Sequence, residues 1–276
     1  MARIGVVFSS GFFGFFAHAG FLAGFRDLGL VSSGWAGASS GAILAAMAAS
    51  GMSNSDIKAL LYKIKKKDFW DPDPWYWILL KGIIGFKGYD GYLRGVRFRN
   101  LLNKIPIKRI EDGVSPLAIT ATNLTRKKET VFTQGDLVKA VWASGAVPLL
   151  FKPVRIDGEM YVDGGLVDKA PIKPLADLIK PDKIMVHFIV SDNMDPSLEA
   201  SQIRNMKPWD IYRLSVNIAR HDAYQQQCSM LKQRGIEIIE VITGAPSVGP
   251  NRLELGPKAY DKAREETKRI LSGHPF

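Results

Sequence analysis

Around Ser39 the chain passes from a short apolar stretch, Trp35-Ala36-Gly37, through Gly37-Ala38-Ser39-Ser40-Gly41 into an alanine-rich run that Gly51 closes. The pattern is G-x-S-x-G, set between a strand-like and a helix-forming segment. That context matters because a serine on so tight a turn needs flanking residues too small to collide with the neighbouring elements, here Gly37 and Gly41. The turn presents the hydroxyl at a helix N-terminus, whose partial positive charge favours negative charge developing nearby. A tight turn that merely needs small residues reads the same way in a chain with 26 glycines, so the motif gains meaning from what accompanies it.

The rest of the chain alternates strands with helices. Arg3–Ser9 reads as a buried strand and Phe15–Leu28 as a helix. Asn54 and Ser55 are cap candidates for a helix running to Lys67, which Asp-Pro-Asp-Pro at 71–74 stops. Residues 68–95 show no clear period and are expected to form an irregular insertion or lid. Pro116–Thr122 and Glu129–Thr133 read as strands, 135–145 as a helix, and 154–156 with 160–162 as a hairpin around Asp157-Gly158. Lys183–Val190 reads as a buried strand, Trp209–Arg234 as a long helix, Ile236–Ile242 as a strand and Pro257–Leu271 as a final helix. This order predicts one α/β domain over 1–276, with a mainly parallel sheet and helices on both faces.

Two further turns carry chemistry. Ser9-Ser10-Gly11-Phe12-Phe13-Gly14 ends the first strand and runs into a helix, so its backbone N–H groups can converge on an oxyanion or a phosphate. Phe15 and Phe16 stand where a nucleotide-binding P-loop needs Lys and Ser or Thr, and the glycine spacing does not fit a dinucleotide fingerprint. The other turn is Asp163-Gly164-Gly165, after Tyr161-Val162. Its carboxylate is placed to take a proton from Ser39 if the fold brings the turns together, although a turn or capping aspartate has the same sequence.

Taken in order, the glycine-containing loop, G-x-S-x-G, the stretch Ala143-Ser144-Gly145-Ala146-Val147-Pro148 and D-G-G resemble the patatin-like phospholipase family over nearly the whole chain. The resemblance implies a three-layer α/β/α fold and a Ser-Asp dyad, Ser39 as nucleophile and Asp163 as its base. It implies a lipid acyl hydrolase working through an acyl-serine intermediate, with oxyanion donors around Ser10, Gly11 and Phe12 and no metal or cofactor. The loop departs from the family pattern, which has successive glycines and then a basic residue: Ser9 and Ser10 precede Gly11, and Phe13 holds the basic position. That departure motivates the alternative of a non-catalytic protein that binds lipid or a partner.

A conventional Ser-Asp-His triad needs a histidine after Asp163, and His187, His221 and His274 are the candidates. Their settings, an apolar strand, a helix and the terminus, favour structural roles. His18 is expected to steady the glycine loop from the following helix.

Charge is concentrated. Between Lys58 and Arg109 stand 13 Lys and Arg against four Asp, which accounts for nine of the net ten positive charges. The same segment holds Phe69, Trp70, Trp75, Tyr76, Trp77 and Phe86, a mixture suited to an anionic membrane surface. The competing reading is a solvated helix end at Lys65-Lys66-Lys67 beside tryptophans that pack onto the core. No nucleic-acid-binding motif accompanies the charge. The apolar run Ile4–Phe25 is broken by glycines and His18 and is read as strand, turn and helix rather than a leader or membrane span. Cys228, the single cysteine, fits a reducing, cytoplasmic setting, and the basic aromatic segment 58–109 is what would hold the chain peripherally at a membrane surface.

Overall fold

The computed structural model describes residues 2–190 and 200–273. Its first half runs β1 (Ile4–Phe8), α1 (Phe15–Asp27), β2 (Gly34–Ala38), α2 (Ser40–Ala49), α3 (Asn54–Tyr62), α4 (Trp75–Ile83), β3 (Gly91–Leu93), α5 (Val96–Leu102), β4 (Leu117–Asn123) and β5 (Lys128–Phe132). The second half runs α6 (Leu137–Ser144), β6 (Leu149–Phe151), β7 (Val154–Ile156), β8 (Glu159–Val162), α7 (Ile172–Ile179), β9 (Lys183–Val190), α8 (Ala200–Arg204), α9 (Pro208–Gln233), β10 (Glu237–Gly244) and α10 (Gly256–Leu271).

The main sheet has the order β10-β9-β1-β2-β4-β8-β7, with β5 also paired to β4. From β10 to β4 every pairing is parallel. β5 and β8 join β4 antiparallel, and β7 closes on β8. The expected hairpin turn is present, with Asp157 and Gly158 both at positive φ. Such a pair is how a two-residue turn follows the twist of its strands.

Strand periodicity builds the three layers. Val6 and Phe8 of β1 face one core with Phe21 of α1, Ala45 of α2 and Tyr260 of α10, while Val7 faces the other with Leu175 of α7 and Tyr224 of α9. Both faces of the central strands are therefore covered, which is why β1 and β9 read as unbroken apolar runs. α1 and α10 pack closely: a Cβ on Gly20 would lie 2.1 Å from the Tyr260 carbonyl oxygen.

Two expectations need correcting. The helix expected to run to Lys67 ends at Tyr62, and its N-cap is Ser53, whose hydroxyl accepts the Asp56 N–H at 3.1 Å. Ending there lets Ile64 turn onto the core. The stretch expected to be irregular contains α4 and β3, and β3 pairs parallel with β6. Its base is fixed by Asp71, whose carboxylate accepts the Gly95 and Arg97 N–H groups at 3.0 and 3.1 Å and so caps α5. One helix, α7, was not read from the sequence at all: Pro171 and Pro174 punctuate its start, although a proline in the first turn costs no intrahelical hydrogen bond.

Candidate active site

Ser39 sits between β2 and α2 with φ 55° and ψ −123°. A non-glycine residue held there is strained, and such strain persists only where the surroundings enforce it. They do so through close backbone approach. A Cβ on Gly37 would fall 2.3 Å from the Gly41 carbonyl oxygen, and one on Gly41 would fall 2.2 Å from the Phe8 carbonyl oxygen. Both glycines of the motif are therefore required by packing, and the Ser39 N–H is held by the Ser144 hydroxyl at 2.8 Å.

Asp163 arrives from the end of β8, 124 residues away in sequence. The Ser39 hydroxyl donates to its Oδ2 at 2.5 Å, and the Gly165 N–H donates to Oδ1 at 2.7 Å. Its backbone is tied down as well: its N–H donates to Ala146 and its carbonyl accepts from the Thr122 hydroxyl. Ser144 and Ala146 thus hold one partner each, the job done by the small-residue stretch singled out in the sequence. Burial pushes the Asp163 carboxyl up to about 6, against the opposing pull of the Ser39 and Gly165 hydrogen bonds and the Arg220 charge. A carboxylate tuned this way is a competent proton acceptor near neutral pH.

The glycine loop lies beside the same serine, since Gly11, Phe12, Ser39 and Ser40 line one cavity. Of the three expected oxyanion donors, Ser10 is already engaged: its N–H donates to the Lys169 carbonyl at 2.8 Å. The Gly11 and Phe12 N–H groups have no acceptor among the described residues. The rest of the cavity is apolar, with Phe13, Phe69, Phe98, Leu102 and Phe151 in its wall.

Beneath the loop is a buried chain of polar groups. His18 Nε2 meets the Ser9 carbonyl at 2.9 Å, the two Nδ1 atoms of His18 and His187 lie 2.7 Å apart, and His187 Nε2 meets the Thr243 hydroxyl at 2.9 Å. Because Ser9 offers only an acceptor, the proton of His18 belongs on Nε2, that of His187 on Nδ1, and Thr243 donates. Burial holds His18 down to about 3 and His187 well below its ordinary value, so both are neutral. His187 therefore braces the loop and does not reach Ser39 or Asp163. His221 is exposed on α9, and His274 lies outside the described residues.

Sequence reading missed Arg220. This α9 side chain donates from Nη2 to the Ser10 hydroxyl at 2.5 Å; burial lowers its guanidinium from the ordinary value, against the opposing pull of the Asp163 and Asp168 charges. It brings a cation to the loop whose own basic position is occupied by Phe13. Nothing local marks it, since the partner stands 210 residues away. Arg220→Met is expected to lower turnover ten- to hundredfold and to move the acid limb of the pH–rate profile upward, because an opposite charge that lowers the Asp163 carboxyl has gone. Arg220→Lys should recover part of the shift. Profiles that overlay would show that Arg220 only packs.

The patatin-like phospholipase family model matches residues 6–176, well over half of the chain. The chain belongs to the patatin-like phospholipase family. Among curated relatives, an uncharacterized NTE family protein of Mycobacterium bovis is 27% identical over 176 residues, covering 63% of this chain and 46% of the relative. The lysophospholipase NTE1 of Cryptococcus neoformans is 30% identical over 109 residues, 39% of this chain and 7% of that protein. The chain thus spans less than half the length of these relatives. VipD from Legionella pneumophila shares the patatin-like fold, with a TM-score of 0.56 at 17% identity over 99% of this chain and 67% of that one.

Proposed function

We propose that this chain hydrolyses the fatty-acyl ester of a phospholipid or lysophospholipid at a membrane surface, with Ser39 as nucleophile and Asp163 as general base. The observation that carries the reading is the 2.5 Å hydrogen bond from Ser39 to Asp163 beside an apolar cavity suited to an acyl chain. Asp163 takes the hydroxyl proton as Oγ attacks the ester carbonyl, and the Gly11 and Phe12 N–H groups stabilise the oxyanion. The leaving alcohol takes that proton and acyl-Ser39 remains. Water then gives a proton to Asp163 as it attacks the acyl carbon, and the intermediate collapses to release the fatty acid while Asp163 returns that proton to the leaving Ser39 Oγ.

Membership in the family and similarity to a lysophospholipase support the lipid substrate. None of the described helices is long and apolar enough to cross a membrane, and the basic segment 58–109 is the part that would meet anionic lipid from one side. The test is fatty-acid release from mixed-lipid vesicles read by mass spectrometry, beside labelling with a fluorophosphonate. The expected result is release and labelling by the intact protein, with neither in Ser39→Ala. An unlabelled Ser39 and no release from any lipid would favour a non-catalytic lipid-binding role.

A further inference from the structure

The least conventional surface of the molecule is α4. Its sequence, WYWILLKGI, carries Lys81 as its one charge among mostly apolar residues, yet none of its nine residues is buried. Trp75 is 74% exposed and Ile83 81%, and Leu79, Leu80, Ile84 and Phe86 are each more than half exposed. A helix this apolar belongs inside a core or a membrane, and a contiguous apolar surface of this kind marks a site of interaction.

The arm is held from below and turned back on itself above. At its base the buried Asp71 carboxylate caps α5, and Lys152 pairs with the buried Asp73 at 2.8 Å. After α4, Gly85, Phe86 and Gly88 adopt positive φ and reverse the chain towards β3. Its only charges before Asp90 are Lys81 and Lys87. Lys81 Nζ lies over the Trp77 ring at 5.4 Å and donates to the Lys87 carbonyl. Exposed Lys63, Lys65, Lys67, Arg94, Arg97 and Arg99 stand in the segments that flank the arm. This arrangement, apolar at the tip and cationic around the base, matches the acyl layer and the anionic headgroups of a membrane rather than the surface of a soluble protein.

The arm is also continuous with the Ser39 cavity. Phe69 and Trp70 on its N-terminal side and Leu93 on its C-terminal side all belong to the cavity wall. We propose that residues 74–90 form an arm that inserts into the acyl layer of a membrane containing anionic lipid and sets the Ser39 cavity against it. An acyl chain then passes from bilayer to cavity without crossing water. The purpose of the arm rests on the hydrolase reading, but its insertion can be measured without turnover.

The experiment compares the intact protein with Trp75→Asp/Leu79→Asp/Ile83→Asp, none of which lines the cavity. Vesicles of phosphatidylcholine with about one third phosphatidylglycerol are floated at low and high salt, and tryptophan quenching by nitroxide-labelled acyl chains is recorded. The expected result is flotation of the intact protein with strong quenching, binding that weakens with salt, and at least tenfold weaker binding of the variant. Hydrolysis of a soluble short-chain ester should stay within twofold, and matching circular dichroism would show that the variant is folded. An intact protein that stays with the soluble fraction, or a variant that floats equally well, overturns the proposal. An intact protein that is dimeric without lipid and becomes monomeric in the variant assigns the arm to a second copy instead. If neither protein cleaves an ester but insertion is as expected, the hydrolase reading fails and the arm stands.

Discussion

Asp163→Asn is expected to lower acyl-ester hydrolysis by about a thousandfold, within the range typical of a lost general base, and to raise thermal stability near pH 8. The two effects have one cause. Asp163 is 6% exposed, and its burial raises the carboxyl from 3.8 to about 6. The base must be ionised to act, so hydrolysis by the intact protein should fall as pH drops through about 6. For stability the sign is opposite to that of a salt-bridged aspartate. The folded state holds this proton more tightly than the unfolded chain, so between about pH 4 and 6 stability decreases as pH rises. Above that window the full cost of the buried charge is present, on the order of 3 kcal/mol for a shift of about two units. Asparagine removes that cost, less what is lost where its amide must replace the accepting oxygen opposite Ser39. Initial rates and melting temperatures at pH 5 and pH 8 check both halves. The melting temperature of Asp163→Asn should exceed that of the intact protein at pH 8 and approach it at pH 5. An unchanged rate in Asp163→Asn would remove Asp163 from the chemistry.

The two turns that meet in the Ser39–Asp163 hydrogen bond were legible in the sequence because their glycines are forced by backbone packing, and forced glycines leave a pattern. The same holds for β1 and β9, whose burial on both faces leaves unbroken apolar runs. What could not be read depends on neighbours far along the chain. Arg220 lies on a helix whose extent was read to within a residue at each end, but its partner is in the first loop. The Ser10 N–H looked like an oxyanion donor until the fold brought the Lys169 carbonyl to it. α4 was missed for another reason: helix periodicity is created by a buried face, and this helix buries none. A solvent-exposed apolar helix therefore reads as a patternless stretch, and the lack of pattern was itself the sign of an unusual environment.

The two glycines after Asp163 should behave very differently when given a methyl group. A Cβ on Gly164 would lie 1.9 Å from the Thr120 carbonyl oxygen and 2.6 Å from its carbon, atoms fixed within β4. Neither can give way, so Gly164→Ala must displace the turn that carries Asp163. The expected outcome is a loss of about 3 kcal/mol or more of stability, at the upper end of overpacking costs. A displacement of about 1 Å in the base would also lower turnover by about a hundredfold. At Gly165 the obstacle is softer: the Ser10 Cβ at 2.5 Å, its hydroxyl at 2.7 Å and the Asp163 Oδ1 at 2.9 Å. Ser10 and Gly165 are therefore complementary in space, because a serine at position 10 requires a glycine at position 165. Gly165→Ala alone should destabilise by about 1–3 kcal/mol, and adding Ser10→Gly should restore at least half of that loss by clearing the clash. Denaturant melts of the two single variants and the double variant close the cycle. Additive losses would mean that the contact is not what keeps alanine out.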